Sequence, residues 1–374
     1  MESSVLFKSS DGAAVVIDIP RSLEEAQVLP GQNITRHIVS TPPRETPWRV
    51  PEPKKDITKY VSPSTAIAEL MTLESVKAAL QEVHANYDGP WCLPRKQVDA
   101  PGQIQQTQIA GFDAAPRANV TQLHKRKHQP PSLPTEEDGQ IRTGPVIPEQ
   151  SRYLLGTVSS HREVFLRDAP QFDLIVLDPP WPSRSVKRKS DSYATMYGTD
   201  EVRELLSQIP VASHLKRDGL VAIWVTNKAA ITDLLTEPGG MFAQWGLELA
   251  GEWIWLKITS AGDSILDVES AWRKPWERLL IARKKGALTS RSVGTKVMLG
   301  VPDIHSRKPN LRGLCEEILP RGFIGLEVFA RNLTAGWWSW GNEVLLFQQE
   351  HHWVPVDDER AKDNTTPSSR LTIY

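Results

Sequence analysis

From residue 151 onward, short apolar runs alternate with segments that repeat at helical spacing. Several of the runs are apolar on both faces, as inner strands of a sheet covered by helices must be. Seven runs have the length and the β-branched or aromatic content of strands: EVFLRD at 163–168, FDLIVLDPPW at 172–181, GLVAIWVTN at 219–227, EWIWLKIT at 252–259, RLLIARK at 278–284, FIGLEVFAR at 323–331 and EVLLFQ at 343–348.

Two segments between these strands are predicted to be helices, 201–209 and 309–318, the second with Pro309 suited to a first turn. Strands that alternate with helices indicate an α/β fold, a Rossmann-like, doubly wound and mostly parallel sheet. Such sheets bind ligands beyond the carboxyl ends of their strands. We therefore expect functional residues just after each strand.

The N-terminal region is predicted to be a smaller α+β unit. Residues 4–20 contain two short apolar runs on either side of Ser10-Asp11-Gly12, a pattern typical of a β-hairpin. Between residues 65 and 87, apolar side chains recur close to helical spacing and predict an amphipathic helix: Ile67, Leu70, Met71, Val76, Leu80 and Val83.

Composition divides the chain near residue 150. Of the 29 prolines, 17 lie in residues 1–150, whereas 11 of the 13 tryptophans lie after residue 150. A chain of 374 residues also exceeds what one core usually holds. We predict an accessory domain at 1–92, a proline-rich linker at 93–150, the main domain at 151–350 and a tail at 351–374.

Charge and cysteine content narrow the class of protein. The 44 basic and 45 acidic residues nearly cancel, so a nucleic acid would have to be held by local basic patches. Cys92 and Cys315 cannot form a disulfide framework or a four-thiolate zinc site, which favours a reducing compartment and no metal.

With no long apolar run and no signal peptide, we expect a soluble intracellular protein. The basic run 124–128 is either a solvated loop or a patch for nuclear import or RNA.

The strongest chemical signal is Asp178-Pro179-Pro180-Trp181, directly after an apolar strand. An amine on a flat heterocycle is a poor nucleophile, because its lone pair is delocalised into the ring. The carboxylate of Asp178 and the carbonyl of Pro179 can each accept one of its N–H groups and orient the nitrogen. The two prolines restrict φ, and Trp181 offers a face on which a base can stack.

This tetrapeptide resembles the motif of the MT-A70 family of adenine N6-methyltransferases. The similarity spans about residues 151–350. The sequences of 185–196 and 329–345 are most similar to the branch of methyltransferase-like protein 4. Further stretches resemble the same family: DSYATM at 191–196, WVTN at 224–227, WLKIT at 255–259, HSRKP at 305–309, LEVFARN at 326–332 and WGNE at 340–343. The glycine-rich loop common in nucleotide sites is absent from the sequence, and in this family that loop is normally different.

The resemblance implies S-adenosylmethionine as cofactor in a class I methyltransferase fold. It implies catalytic roles for Asp178, Pro179, Pro180 and Trp181. The residues that it implies for donor binding are Asp168, Ala169, Asp178, Pro179, Lys308, Arg331, Asn332, Leu333, Asn342 and Glu343. An amide beside a carboxylate, as in Asn342-Glu343, also suits a purine edge and ribose hydroxyls.

The substrate side is expected to include the loop after the motif, where a phosphate backbone must pass if a base stacks on Trp181. Its basic residues would otherwise be a solvated face. Lys257 and Glu277 line the same side or form a surface salt bridge. The substrate-binding prediction comprises Lys187, Arg188, Lys189, Tyr193, Trp224, Lys257 and Glu277.

The resemblance further implies a nuclear RNA substrate, notably the 2'-O-methylated adenosine of U2 small nuclear RNA, and a protein located in the nucleus, with the cytoplasm as an additional site. Residues 1–150 would then help to grip RNA or replace a second methyltransferase-like subunit. Three alternatives stay open: methylation of DNA adenine, methylation of a small amine or protein side chain, and a pseudoenzyme scaffold that binds nucleic acid. Neither metal nor membrane is expected as a partner.

Overall fold

The computed structural model describes residues 3–50, 63–97, 144–182, 198–270, 273–287 and 293–356. Ten strands form one sheet in the order β1-β2-β9-β7-β8-β6-β5-β10-β11-β4, and β3 pairs with β12 in a second sheet. The strands are β1 (Val5–Lys8), β2 (Ala14–Ile17), β3 (Arg36–Ile38), β4 (Arg152–Leu155), β5 (Phe172–Leu177), β6 (Leu215–Val225), β7 (Leu247–Lys257), β8 (Trp276–Lys284), β9 (Lys296–Gly300), β10 (Gly325–Val328), β11 (Trp338–Gly341) and β12 (Trp353–Pro355).

Helices cover both faces of the large sheet. They are α1 (Ile19–Ala26), α2 (Pro63–Asn86), α3 (Val158–Asp168), α4 (Thr199–Ser207), α5 (Val211–His214), α6 (Ala229–Thr236), α7 (Met241–Gln244) and α8 (Arg312–Cys315). Two short 3-10 helices, Leu346–Gln348 and Glu350–His352, precede β12.

Alternation along β5 shows why the sheet is buried on both sides. Ile175 and Leu177 pack into one core with residues of α4, α6 and α7, whereas Leu174 and Val176 pack into a second core with residues of α1 and α8. Six of the nine strand pairs in the large sheet are parallel. The predicted α/β fold, doubly wound and mostly parallel, is therefore confirmed.

The N-terminal hairpin is confirmed, and it forms the edge of the large sheet. β1 pairs with β2 in antiparallel orientation, and Gly12 turns the chain between them with φ 72°. β2 then pairs in parallel with β9. In the predicted C-terminal tail, β12 pairs with β3. The domain limits at residues 92, 150 and 350 stay predictions.

The predicted helix is confirmed as α2, but its apolar residues do not form one buried face as an amphipathic helix requires. Val76 and Val83 are fully buried against the sheet, whereas Leu70 and Met71 are exposed by 57% and 67%. No helix in the described ranges combines the length and the apolar content needed to cross a bilayer.

Three predicted elements are wrong. Residues 163–168 are the end of α3 and not a strand; Thr157 caps this helix and Phe165 anchors it in the core. Residues 343–348 contain a 3-10 helix instead of a strand; Phe347 and Gln348 are buried, and the Gln348 side chain donates to Gln27 and to the Val146 carbonyl. In the predicted helix 309–318, only Arg312–Cys315 is helical, so Pro309 lies outside its first turn. The short strands β3, β4, β9, β11 and β12 were not predicted.

Candidate active site

The candidate site lies at the edge of the sheet where the parallel strands end. β5 ends before Asp178, β7 ends at Lys257 and β10 ends before Arg331. β8 is antiparallel to β6 and β7 and therefore starts at this edge, next to Glu277. Lys308 follows β9 in the loop toward α8. Residues that are far apart in the chain are thereby brought together, as expected for a doubly wound sheet.

Asp178 lies between two cations. Its side chain is 18% exposed; Oδ1 lies 3.5 Å from the Lys308 ammonium and Oδ2 lies 3.7 Å from the Arg331 guanidinium. Both distances exceed the ~2.7–2.9 Å of a tight charge-assisted hydrogen bond. The two oxygens are thus held electrostatically and keep lone pairs that can accept a hydrogen bond from a ligand.

These pairs belong to a longer row of alternating charges. Lys308 contacts Glu277 at 2.8 Å, Glu277 contacts Lys257 at 2.6 Å, and Arg331 contacts Glu343 at 2.9 Å. The row along the sheet edge is Lys257, Glu277, Lys308, Asp178, Arg331 and Glu343. Lys257 and Glu277 form the expected salt bridge, and their role on the substrate side stays a prediction.

Burial and charge act against each other in this row. Burial raises the pKa of Asp178, and the nearby cations of Lys308 and Arg331 only partly offset it. Burial opposes the charge of Lys308 as well, but the carboxylates of Asp178 and Glu277 outweigh it and raise the pKa of this lysine. Although Glu277 is also desolvated, its two lysine partners hold its pKa far below the usual range. Lys308 therefore stays charged, and it favours the ionised form of Asp178.

Trp181 is fixed by two hydrogen bonds after the strand. Its backbone N–H donates to the carbonyl of Pro179 at 2.8 Å, and its indole Nε1–H donates to the carbonyl of Trp224 at 2.7 Å. Pro180 lies between Pro179 and Trp181 and restricts the backbone of this turn. The Pro179 carbonyl retains a second lone pair for a ligand. Trp181 is partly exposed and packs in part against the core.

Trp224 lines the cleft together with Asp178 and Lys308. It is 3% exposed, stands edge-on to Trp255 and lies beneath the Lys308 ammonium, which is 5.3 Å from its ring centre. It supports Lys308 from the core, and its substrate-binding role stays a prediction.

The structure does not bring Asp168 and Ala169 to the site. Asp168 is the last residue of α3, pairs with Arg167 at 2.8 Å and is 43% exposed. Ala169 is the C-cap of the same helix. Both precede β5, so the six residues of that strand, spanning about 20 Å, separate them from Asp178.

The remaining donor-site predictions fall near Arg331. Asn332 lines the cleft beside Asp178. Leu333 is fully buried, and its backbone N–H donates to Gln348 at 3.1 Å, so its side chain is part of the core. Asn342 is exposed directly after β11, and burial raises the pKa of its neighbour Glu343.

The cleft itself encloses about 30 Å³ among the described residues and contains two strained backbone positions. Ser306 and Phe329 line it with φ values of 73° and 62°. A non-glycine residue in this region costs about 1–3 kcal/mol, and such strain clusters at functional sites. The enclosed part of the cleft holds only a few water molecules.

Glu327 is a site residue that the sequence reasoning missed. It lies on β10 opposite Val176 and lines the cleft. Burial and the nearby Asp178 raise the pKa of its carboxyl to about 7. The signal was present, because an acidic residue inside the apolar run FIGLEVF is rarely buried without a role.

Lys187, Arg188, Lys189 and Tyr193 lie outside the described residues, as do the motif at 191–196 and the basic run at 124–128. Their roles stay predictions. Within the described part of the chain, no cluster of three or more His, Cys, Asp or Glu side chains could hold a metal ion.

Comparison with known proteins agrees with this geometry. The MT-A70 family profile matches residues 172–343, which include Asp178, Lys308, Arg331 and Glu343. The chain is 44% identical over 359 residues to N6-methyladenosine RNA methyltransferase MTA1 of Cryphonectria parasitica, covering 94% of each chain. The chain belongs to the MT-A70 family. The resemblance to adenine N6-methyltransferases that the tetrapeptide indicated is thereby confirmed.

Two further relatives fit the same assignment. MTA1 of Pyricularia oryzae, also an N6-methyladenosine RNA methyltransferase, is 43% identical over 383 residues and covers 96% of this chain and 98% of its own. Human N(6)-adenine-specific methyltransferase METTL4 is 34% identical over 224 residues, which is 57% of this chain and 45% of the human protein. The predicted affinity with the branch of methyltransferase-like protein 4 is supported.

The charged and polar side chains of the cleft match the groups of a nucleoside that carries an amino acid. Acidic side chains at Asp178 and Glu327 suit an ammonium and a sulfonium, whereas the cations of Lys308 and Arg331 suit a carboxylate. Glu343 and Asn332 add polar groups that can bind hydroxyls. These residues fit S-adenosylmethionine by charge, and all lie along the same sheet edge.

Proposed function

We propose that the chain is an S-adenosylmethionine-dependent N6-adenine methyltransferase of nuclear RNA. The observation that carries the proposal is the position of Asp178, between Lys308 and Arg331 and three residues before the fixed, partly exposed Trp181. The names of the MTA1 relatives support RNA as the substrate. Family knowledge adds the 2'-O-methylated adenosine of U2 RNA as the first target to test.

Orientation of the amine is the task of the chain's own residues. The Asp178 carboxylate and the free lone pair of the Pro179 carbonyl each accept one N–H of the adenine amine. The nitrogen lone pair is then directed out of the ring plane, and the two acceptors stabilise positive charge on nitrogen. Bound S-adenosylmethionine would supply an activated methyl group. Lys308, Arg331 and Glu343 would hold it by its charged and hydroxyl groups.

Ionisation of Asp178 decides whether this arrangement works. A protonated carboxyl offers one acceptor fewer and cannot stabilise the cationic amine. Burial favours the protonated form, and Lys308 and Arg331 oppose that tendency. The two cations are therefore proposed to keep Asp178 ready as an acceptor while neutralising its charge before substrate binds.

Trp181 is proposed to stack on the target base. Its hydrogen bond to the Trp224 carbonyl fixes the plane of the indole, so little side-chain entropy is lost when the base binds. Aromatic stacking on a base is worth about 1–3 kcal/mol. The basic residues 187–189, directly downstream, are proposed to contact phosphates, and nuclear localisation is proposed with them.

The experiment uses purified protein, isotope-labelled S-adenosylmethionine and separate pools of nuclear RNA and DNA, followed by mass analysis of the nucleosides. Label in N6-methylated adenosine from RNA supports the proposal. Label only in deoxyadenosine would assign the DNA alternative. Absence of label from both pools, with donor binding intact, would favour the nucleic-acid-binding scaffold. Asp178→Asn provides the matched inactive protein.

A further inference from the structure

The loop that carries Lys308 is anchored by a buried ion cluster outside the cleft. The side chains of Asp303 and Arg307 are both 0% exposed and pair at 2.7 Å, and Arg95, 1% exposed, approaches Asp303 to 3.8 Å. We call Arg95, Asp303 and Arg307 the arginine hub. Buried ions cost several kcal/mol of desolvation each, and apolar residues of similar size often stabilise a fold as well or better. The hub is therefore poorly explained by stability alone.

The hub joins four separate parts of the chain. Asp303 accepts hydrogen bonds from Ser40 Oγ at 3.1 Å and from the backbone N–H of Thr41 at 2.8 Å. Arg307 donates to the carbonyl of Val39 at 2.6 Å. Arg95 donates to the carbonyls of residues 41, 301 and 302 at 2.9–3.0 Å. The N-terminal region thus holds the start of the loop that leads to Lys308.

A second set of contacts leads from the hub to Arg331. The guanidinium carbon of Arg307 lies 4.7 Å from the ring centre of Phe347, and the backbone N–H of Phe347 donates to the carbonyl of Arg331 at 2.9 Å. Arg307 Nη2 also donates to His352 Nδ1 at 3.2 Å. Burial and the adjacent Arg307 lower the pKa of His352 to about 4, so its ring is neutral and can accept this bond. One side chain therefore contacts the supports of both cations that flank Asp178.

The loop between the hub and the cleft has a strained backbone that the hub holds in place. Ser306, between the hub and the cleft, has φ 73°, and Arg307 N–H closes the turn on the carbonyl of Ile304 at 3.0 Å. A sparsely populated backbone conformation of this kind persists only where the surroundings enforce it. Fixing Arg307 on one side fixes Lys308, the next residue, on the other.

We propose that Arg307, held by Asp303, is a positioning residue that places Lys308 and Arg331 on opposite oxygens of Asp178. It touches neither oxygen and acts through the loop and through Phe347. The inference rests on the proposed function only where it assigns Lys308 and Arg331 a role in methyl transfer. The placement of Lys308 itself can be measured without donor or nucleic acid.

The first test measures the reactivity of Lys308. Arg307→Lys keeps a charge for Asp303 but loses the planar fork that reaches Val39, Phe347 and His352. We expect amine acylation of Lys308, followed by peptide mass analysis, to become at least about threefold faster in this variant. Lys296→Met is the control, since Lys296 is also a buried cation but lies at the start of β9, about 13 Å before the loop.

The second test asks whether Arg307 acts through Lys308. The dissociation constant of S-adenosylmethionine is measured by calorimetry for the wild type, Arg307→Lys, Lys308→Met and the double variant. Arg307→Lys should weaken donor binding about tenfold when Lys308 is present and about twofold or less in the Lys308→Met background. An unconnected structural defect would give the same loss in both backgrounds.

The outcomes separate the two proposals. Unchanged acylation of Lys308 in Arg307→Lys, or additive losses in the cycle, would overturn the positioning role. If the wild type binds no donor, the proposed function fails, while acylation still decides the positioning role. If Arg307→Lys does not fold, His352→Ala takes its place, because it removes one hydrogen-bond acceptor of Arg307 at a less buried residue. The same two measurements are made, and we expect a change of about threefold in Lys308 acylation and in donor affinity.

Discussion

Replacing Lys308 by methionine tests the electrostatics of the site most sharply. Lys308 lies 3.5 Å from Asp178 and 2.8 Å from Glu277, so its removal leaves two partly buried carboxyl groups without their shared cation. Charges 3.5 Å apart interact by about 5 kcal/mol at an effective dielectric constant of about 20. Arg331 remains beside Asp178, and water replaces part of the lost interaction. We therefore expect a net loss of about 2–3 kcal/mol, or roughly 30- to 150-fold in kcat/KM.

The direction of the pH effect is the decisive part of this prediction. Burial already raises the pKa of Asp178, and loss of Lys308 raises it further. The carboxylate then becomes protonated at higher pH, so the acidic limb of the rate profile should move toward alkaline pH. The assay is methyl transfer at saturating donor across pH 5–9, in which kcat is separated from donor binding.

Lys257→Met is the matched control for this experiment. Lys257 pairs with the same Glu277 at 2.6 Å, but Asp178 contacts Lys308 and Arg331. The control should lose thermal stability to a similar degree without moving the acidic limb. An equal shift in both variants, or a shift in neither, would refute the assignment of Asp178 as the ionised acceptor.

Three further predictions follow from the same geometry. Asp168→Ala should leave donor affinity within twofold of the wild type by calorimetry, whereas Glu343→Ala should weaken it by at least about fivefold; the reverse order would place Asp168 at the donor site and remove Glu343 from it. Trp181→Phe, which keeps the stacking face but loses the bond to the Trp224 carbonyl, should cost about 1 kcal/mol in kcat/KM, and Trp181→Ala clearly more; equal losses would contradict a stacking role. Because the pKa of Glu327 is raised to about 7, ionisation of the unfolded chain between about pH 4.5 and 7 lowers the free energy of unfolding of the wild type. Glu327→Gln should therefore match the wild type in denaturant unfolding at pH 4 and exceed it by up to about 3 kcal/mol at pH 8, and no difference at pH 8 would sink this reasoning.

The core of the fold was readable from the sequence because its inner strands are continuous apolar runs. β5 has four fully or nearly buried residues in succession before Asp178, and such a run has few alternatives to a central strand. The run 163–168 was misread because VFL looks apolar over a short window. Its helical period becomes visible only with Val158 and the Thr157 cap seven and eight residues before Phe165.

The tetrapeptide was equally readable, since a strand, two prolines and a tryptophan restrict one short segment. The partners of Asp178 were harder to predict, because they depend on which strands are neighbours. Glu277 was predicted on the substrate side, but its pairing with Lys308 was not, because the antiparallel β8 brings Glu277 to this edge of the sheet at the start of a strand. The arginine hub was invisible for the same reason, as it joins residues 39–41, 95, 303–307 and 352 across the whole chain.

The most direct test of the central claim is single-turnover methyl transfer by Asp178→Asn. Asparagine keeps the shape of the side chain but removes the charge that would stabilise a cationic adenine amine. We predict a rate at least about 10³-fold below the wild type, with the melting temperature and donor binding retained. A folded, donor-binding Asp178→Asn protein that transfers methyl at more than a tenth of the wild-type rate would contradict the account.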